Sequence, residues 1–446
     1  MREIIIFADQ TASSHAVLQE ACKRRDQSLL HQFLRQTAEA LRRETYCRFH
    51  TAGCNIGFSS TEELIQGYYA CQTTDAAFDC ALVCMAQLAH FIGTFERRSP
   101  SYPRQTPETC LVGVGIGLIV ANAVASADSL PSLIPLAVET VLIAFRLGAH
   151  LQLLTAQLLH NPLGPSWSRT LKTDEKSAIA LLETFHDESN THAISRLRLS
   201  VVTPDFVVIS GSPMVLDRFV QDSGLCSTWI QNSNNVYEPY HAMHMIPDFI
   251  IEDDILLPTT RTLFHEAEPR MPFFCGTKAK PLGGFTPLES LASALKEITT
   301  STVEWTELSR GQFPRWCQTV NILSTSSRLR SSSIISNLSS RNFNVELEDI
   351  SDWIALGVQD NCRVGDPSII AMLACVELEP SEKALQTSAS SDARTGKELF
   401  EAPPAYTADS GYVSKSEKLC ATVIEAECLD LPERDWISAK GIPCLA

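Results

Sequence analysis

The chain has 446 residues, with 52 acidic against 36 basic side chains and a net charge of -16. Apolar residues make up 44% and charged ones 20%, so a sizeable core is possible, in two or three domains or in one large domain with a satellite and a tail. The acidic balance, with no basic patch interleaved with aromatics, argues against a nucleic-acid or anionic-membrane binder, because both select clustered Lys and Arg.

The N-terminus reads MREIIIFADQT. Its apolar run, Ile4 to Ala8, is too short for a signal peptide and stops at Asp9. It reads as a buried first strand. The 15 cysteines are scattered through a long chain without a secretion signal, so reduced thiols and a cytoplasmic location are expected. Ser14–Arg48, rich in Leu, Ala, Gln, Glu and Arg, looks helical. Cys47, His50 and Cys54 sit close together, as do Cys80 and Cys84, but no second Cys/His pair at zinc-ligand spacing completes either set. No metal and no cofactor are expected.

Asp75–Arg97 places Ala77, Ala81, Cys84, Leu88 and Ile92 at helical spacing, an amphipathic or buried helix. The segment TCLVGVGIGLIVANAVAS (Thr109–Ser126) follows. A short apolar run, Cys110 to Val112, meets Gly113-Val114-Gly115-Ile116-Gly117, and an apolar stretch of helical composition comes next. Strand, tight Gly-x-X-x-Gly turn and helix are the context of a nucleophile elbow. The central position normally holds Ser or Cys, and here it is Gly115. The charge-free run Leu111–Ala127 falls just short of the roughly 18 apolar residues that mark a spanning helix, so it reads as buried core. Ser132–Leu159 is one long helical stretch with a possible bend at Gly148.

Near Arg196 the pattern turns to strands, at Leu197–Val202 and Phe206–Ser210, joined by Thr203-Pro204-Asp205. A short helix, Pro213–Gln221 with Ser212 at its N-cap, and a strand in Cys226–Gln231 complete a small α+β unit. Mixed α/β character returns from Ile246 to Val345, with a helix at Pro287–Thr299. The segments Gln386–Gly396 and Glu401–Ser416, rich in Ser, Thr, Ala and Pro, read as linker or tail. The expected divisions are a large α/β subdomain at 1–195, a small α+β subdomain at 196–245, the rest of the large subdomain at 246–378, and a tail at 379–446. No internal repeat is present.

Five segments in order resemble the starter-unit acyltransferase (SAT) domain of fungal non-reducing polyketide synthases. They are IFADQT (Ile6–Thr11), GVGIG (Gly113–Gly117), AFRLG (Ala144–Gly148), FVVISGSPMVLDRF (Phe206–Phe219) and VYEPYHAMH (Val236–His244). Each is weak alone, and their shared order and spacing across about residues 1–375 carry the likeness. The resemblance implies a malonyl-transferase-like fold: an α/β-hydrolase-like large subdomain with an inserted ferredoxin-like small one. It implies ping-pong transfer of a starter acyl group in aromatic polyketide biosynthesis, part of secondary metabolism. A Cys takes the group from an acyl-CoA or acyl-carrier thioester and passes it to the phosphopantetheine thiol of an acyl carrier domain.

By the same resemblance His241 is the base that activates the Cys and later the incoming thiol. Gln10 and the backbone N–H of Ile116 are the oxyanion positions. Arg146 and His244 fall near the substrate. Arg146, on an apolar helix, would be costly to bury unpaired; it meets either a substrate carboxylate or an internal acid, and a structural ion pair is the favoured reading. His244 reads as a packing neighbour of the site, and Gln10 either donates into the site or caps the strand.

Three departures from the family pattern stand out. Gly115 occupies the Cys position, where Gly also suits a turn that needs positive φ. Val320–Ser326 reads VNILSTS where the family has a Gly-Pro-Gly-like turn. No ketosynthase opening follows residue 375, which suggests a stand-alone domain or a truncated product. Cys110, five residues before Gly115 and roughly 15 Å away at about 3.3 Å per residue, is too far to substitute, while Cys80 and Cys84 are nearer alternatives. The expectation is a pseudoenzyme of the transacylase type, impaired in covalent transfer. The rivals are a non-catalytic acyl- or carrier-protein-binding module and an esterase-like hydrolase.

Overall fold

Short apolar runs become the parallel strands that carry the site, and residues 4–7 and Thr109–Gly113 are buried residue by residue, as strands covered on both faces are. They are seen in a computed structural model that describes residues 3–7, 14–24, 26–48, 57–71, 75–98, 109–158, 166–203, 205–223, 230–231, 240, 254–268, 271, 273–275, 280–282, 286–304, 319–323 and 344–347. All of these fall in the first of the two units, 1–366 and 367–446, into which the chain divides. The tail expected at 379–446 lies outside the described residues.

The large sheet is ordered β11-β10-β1-β2-β7-β8. Its strands are β1 (Glu3–Phe7), β2 (Thr109–Gly113), β7 (Phe273–Cys275), β8 (Lys280–Pro281), β10 (Thr319–Leu323) and β11 (Asn344–Leu347). All neighbours are parallel except β8, which runs antiparallel to β7. Phe7 is in register with both Gly113 and Leu323, and Gly113 with Cys275. The carboxyl ends of β1, β2, β7 and β10 therefore line up, which is where open α/β sheets bind ligands. The stretch Val320–Leu323, expected as part of a turn, lies within β10.

Helices α1 (His15–Lys23), α2 (Ser28–Arg48), α3 (Thr61–Ala70), α4 (Ala76–Arg98), α5 (Gly117–Ser126) and α6 (Leu130–Leu158) build the large core. The single helical region expected at Ser14–Arg48 is broken after Lys23. The break has a physical cause: Glu96 of α4 accepts the N–H groups of Leu29 (2.9 Å) and Leu30 (3.0 Å), capping α2 from outside. Helix α6 runs through Gly148 without interruption. A Cβ there would lie 2.1 Å from the Ala76 carbonyl oxygen, so glycine lets α6 and α4 touch backbone to backbone. Both helices are long and apolar enough to span a bilayer, yet 94% of α4's most apolar window and 72% of α6's are buried within the protein.

A second sheet is ordered β6-β3-β5-β4-β9. The chain runs β3 (Ser168–Leu171), α7 (Glu175–Glu188), β4 (Arg198–Val202), β5 (Val207–Ser210), α8 (Pro213–Asp222), β6 (Ile230–Gln231). This β-α-β-β-α-β path through an antiparallel four-strand core is the ferredoxin-like arrangement. Its first strand and helix precede residue 196, where the small subdomain was expected to begin. The strand SRTL is four residues long with a single apolar residue, too little for periodicity to reveal. Helix α9 (Pro258–Glu266) and helix α10 (Pro287–Thr300) then lead to β9 (Val303–Glu304). β9 pairs with β4 in parallel, and the Thr302 hydroxyl donates to the Leu199 carbonyl (2.7 Å). β9 thus adds a later segment of the chain to the edge of the ferredoxin-like sheet.

Candidate active site

The elbow is built by three glycines with different tasks. At the end of β2, a Cβ on Gly113 would stand 2.5 Å from both the Gly117 carbonyl oxygen and the Leu118 Cα, so strand and helix approach as closely as backbones allow. Gly117 opens α5. Between them Gly115 takes φ +52°, the left-handed region that glycine enters without steric cost. The turn is fixed from both sides: Val114 N–H donates to Phe7 O (3.0 Å) on β1, and Leu118 N–H donates to Gly115 O (2.9 Å). This is strand–turn–helix geometry with the central residue at positive φ, and that residue has no side chain.

The Ile116 N–H has no hydrogen-bond partner among the described residues. It lies at the start of α5, an apolar helix buried along its whole length. The unshielded positive end of such a helix favours negative charge beside it. Gln10, His241 and His244 lie outside the described residues. Tyr240, directly before His241, is described: it is buried, and its hydroxyl is hydrogen-bonded to Cys80 Sγ on α4 at 2.7 Å.

The thiols around the elbow are all buried. Burial first, and Cys80 second, push Cys84 well above the ordinary thiol range, so it remains a thiol and not a nucleophilic thiolate. Cys110 faces away from the side on which Gly113 meets α5, because residues three apart on a strand point to opposite faces. A thiol that sequence reasoning passed over, Cys275, stands on β7 in register with Gly113. Paired residues share a face, so Cys275 lies beneath α5, 3% exposed, rather than at Gly115. Nothing in the local sequence FFC signals that neighbour.

Arg146 is 3% exposed and fully engaged inside the protein. Nε donates to Glu44 Oε1 (2.7 Å), Nη2 to Glu44 Oε2 (3.2 Å) and Nη1 to Glu139 Oε1 (2.8 Å). Nη1 also reaches the Thr260 hydroxyl at 3.2 Å, and that hydroxyl bonds Glu139 in turn. Desolvation alone would lower the guanidinium pKa, but the hydrogen bonds and charges of the two glutamates outweigh it and raise the value. Its charge is therefore spent internally, and the group locks α2, α6 and α9 together. Glu139, two turns back on the same helix face, was legible as a partner. Glu44, 102 residues away, was not. Among the described residues no cluster of His, Cys, Asp and Glu is arranged to hold a metal ion.

The architecture is that of the malonyl-transferase class. The malonyl-CoA transacylase (MCAT) of Mycobacterium tuberculosis superimposes with a TM-score of 0.52 at 15% identity, over 77% of this chain and 95% of that one. An acyl-carrier-protein S-malonyltransferase from Bartonella henselae gives 0.53 at 13% identity, over 78% and 95%. Within that class, residues 5–241, a little over half of the chain, match the family model described as starter unit:ACP transacylase in aflatoxin biosynthesis (SAT), and the chain belongs to this family. It is 30% identical over 311 residues to non-reducing polyketide synthase PKS1 of Zymoseptoria tritici, covering 68% of this chain and 14% of that protein. To non-reducing polyketide synthase 1 of Elsinoe fawcettii it is 28% identical over 312 residues, 69% and 14% respectively. The chain thus spans about a seventh of the length of these relatives, 14%.

Proposed function

We propose that this chain is a starter-unit:acyl-carrier-protein transacylase-type domain of fungal aromatic polyketide biosynthesis that has lost the covalent step. The observation that carries the reading is Gly115 at φ +52° in an otherwise intact elbow. Transfer by the ping-pong route needs a side-chain sulfur or oxygen to displace the thiol of the incoming thioester and hold the acyl group. At 115 no such atom exists, so an acyl-enzyme has nowhere to form. The remaining parts of the site still suit a thioester. The Ile116 N–H and Gln10 would polarise its carbonyl, and His241 would accept a thiol proton.

The partners in this reading are an acyl-CoA or acyl-carrier thioester and a phosphopantetheinylated carrier domain, met in the cytoplasm. Intact-mass spectrometry after incubation with acyl-CoA thioesters of several chain lengths tests the reading. The natural protein should gain no acyl adduct, and Gly115→Cys should gain one. A stable adduct on the natural protein would overturn the loss of transfer; failure of both to react would mean that the defect extends beyond residue 115.

The same glycine favours a second reading, a non-catalytic module that binds an acyl chain or docks a carrier domain. Saturable binding of a carrier domain to the natural protein supports it, and no binding leaves an inert relic. An esterase-like hydrolase lacks its nucleophile at the same position and has no observation in its favour.

A further inference from the structure

The ferredoxin-like unit carries a cleft of about 490 Å³ that none of the elbow residues lines. Its floor and walls come from Ile179 and Leu182 on α7, Leu197 and Leu199 at β4, and Thr300 and Thr302 after α10. Three nitrogen groups, His186, Arg196 and Arg198, also face it. Arg196 and Arg198 stand two apart on an extended segment, so both side chains project to one side while Leu197 between them enters the core. Neither guanidinium has an acidic partner among the described residues. Two exposed, unpaired arginines beside one cavity are notable in a chain of net charge -16.

His186 lines the same cleft. Its Nε2 accepts the Leu197 N–H at 3.0 Å, which leaves the ring proton on Nδ1 as a donor. Both arginines act on this imidazole. Desolvation first, then Arg196 and Arg198, hold its pKa below the usual value against an opposing pull from Asp187. Among the described residues the one acid lining the cleft is Glu183, a turn earlier on α7.

We propose that this cleft binds a small amphiphilic anion, with the head on Arg196 and Arg198 and the apolar body against Leu199 and Ile179, the partly exposed apolar side chains of its lining. The volume lies in the range of ligand pockets, roughly 300–1,000 Å³. Guanidinium forks match carboxylate and phosphate geometry, which gives a head group of either kind a place. The site is independent of the elbow and of whether acyl transfer survives.

The test is titration calorimetry on the full chain with octanoate, octyl phosphate and octyltrimethylammonium, each below its micellar concentration. At least one of the two anions should bind saturably, and which one does identifies the head group; the cation should not bind. The double variant Arg196→Ala/Arg198→Ala should weaken the anion by about tenfold or more, the loss expected when charge-assisted bonds are removed. Glu183→Gln should tighten it, and this single exposed change reads the same field should the double variant fold poorly. Absence of anion binding, equal binding of the cation, or anion binding unchanged in the variants would overturn the proposal.

Discussion

At Gly115 the conformation and the missing chemistry meet in one residue. A non-glycine side chain at φ +52° costs about 1–2 kcal/mol. An active transferase of this design must carry that strain to hold a nucleophile, and glycine releases it. The conformational part of the cost of Gly115→Ala should therefore be about 1–2 kcal/mol. Gly113→Ala is a different case. Its Cβ would meet backbone atoms at 2.5 Å, and backbone cannot swing aside as a side-chain end does. The cost there should exceed about 3 kcal/mol, at the upper end for overpacking. Urea unfolding of the two variants checks the ranking, and equal midpoints would contradict it. The same conformational penalty falls on Gly115→Cys, so its urea midpoint is the control that separates a failure to acylate from a failure to fold.

Between elements, the Arg146 cluster ties three helices together through charge. Arg146→Met should cost about 3 kcal/mol, because it removes the cation from Glu44 and Glu139, each only 12% exposed. Adding Glu44→Gln and Glu139→Gln should return part of that loss, and a triple variant no more stable than the single one would refute the ion-pair account. This cluster also marks what could be read in the sequence. β1, β2 with its glycines, α4, α6 and α10 follow from apolar spacing and punctuation within one segment, and so did the later half of the ferredoxin-like unit. The break between α1 and α2 hangs on Glu96, and Arg146 depends on Glu44; both are contacts across many residues that local pattern does not encode. β3 is four residues long and takes its identity from β5 and β6, formed later in the chain. At the site, the strand–turn–helix and the glycine at its centre were legible because the G-x-G-x-G spacing is local. The lie of Cys275 beside Gly113 and of Tyr240 on Cys80 was not, because strand order and loop packing create those neighbours.

The described residues form two hydrophobic cores, a large one around the parallel sheet and a small one of Leu171, Ala178, Leu182, Phe185, Leu197, Val202, Val207, Ile209, Leu216 and Phe219. Separate cores make separate responses to conditions possible, and His186 gives the small one a pH dependence of its own. Its Nε2 ties α7 to the start of β4, and that bond is lost on protonation because both ring nitrogens then become donors. Burial and the two arginines keep the folded group below its ordinary value of 6.5. The unfolded chain therefore takes up the proton first as pH falls, and the folded state loses stability below 6.5 and none above it. His186→Gln keeps an acceptor for Leu197 and removes the titration. Thermal unfolding followed from pH 7.5 to about 5.5 should show the natural protein losing ground to the variant only in the acid half of that range. Hydrogen exchange should locate the loss in α7 and β4, with the amides of β1, β2 and α5 unmoved. Parallel pH curves for the two proteins, or equal loss in both cores, would rule out His186 as the source.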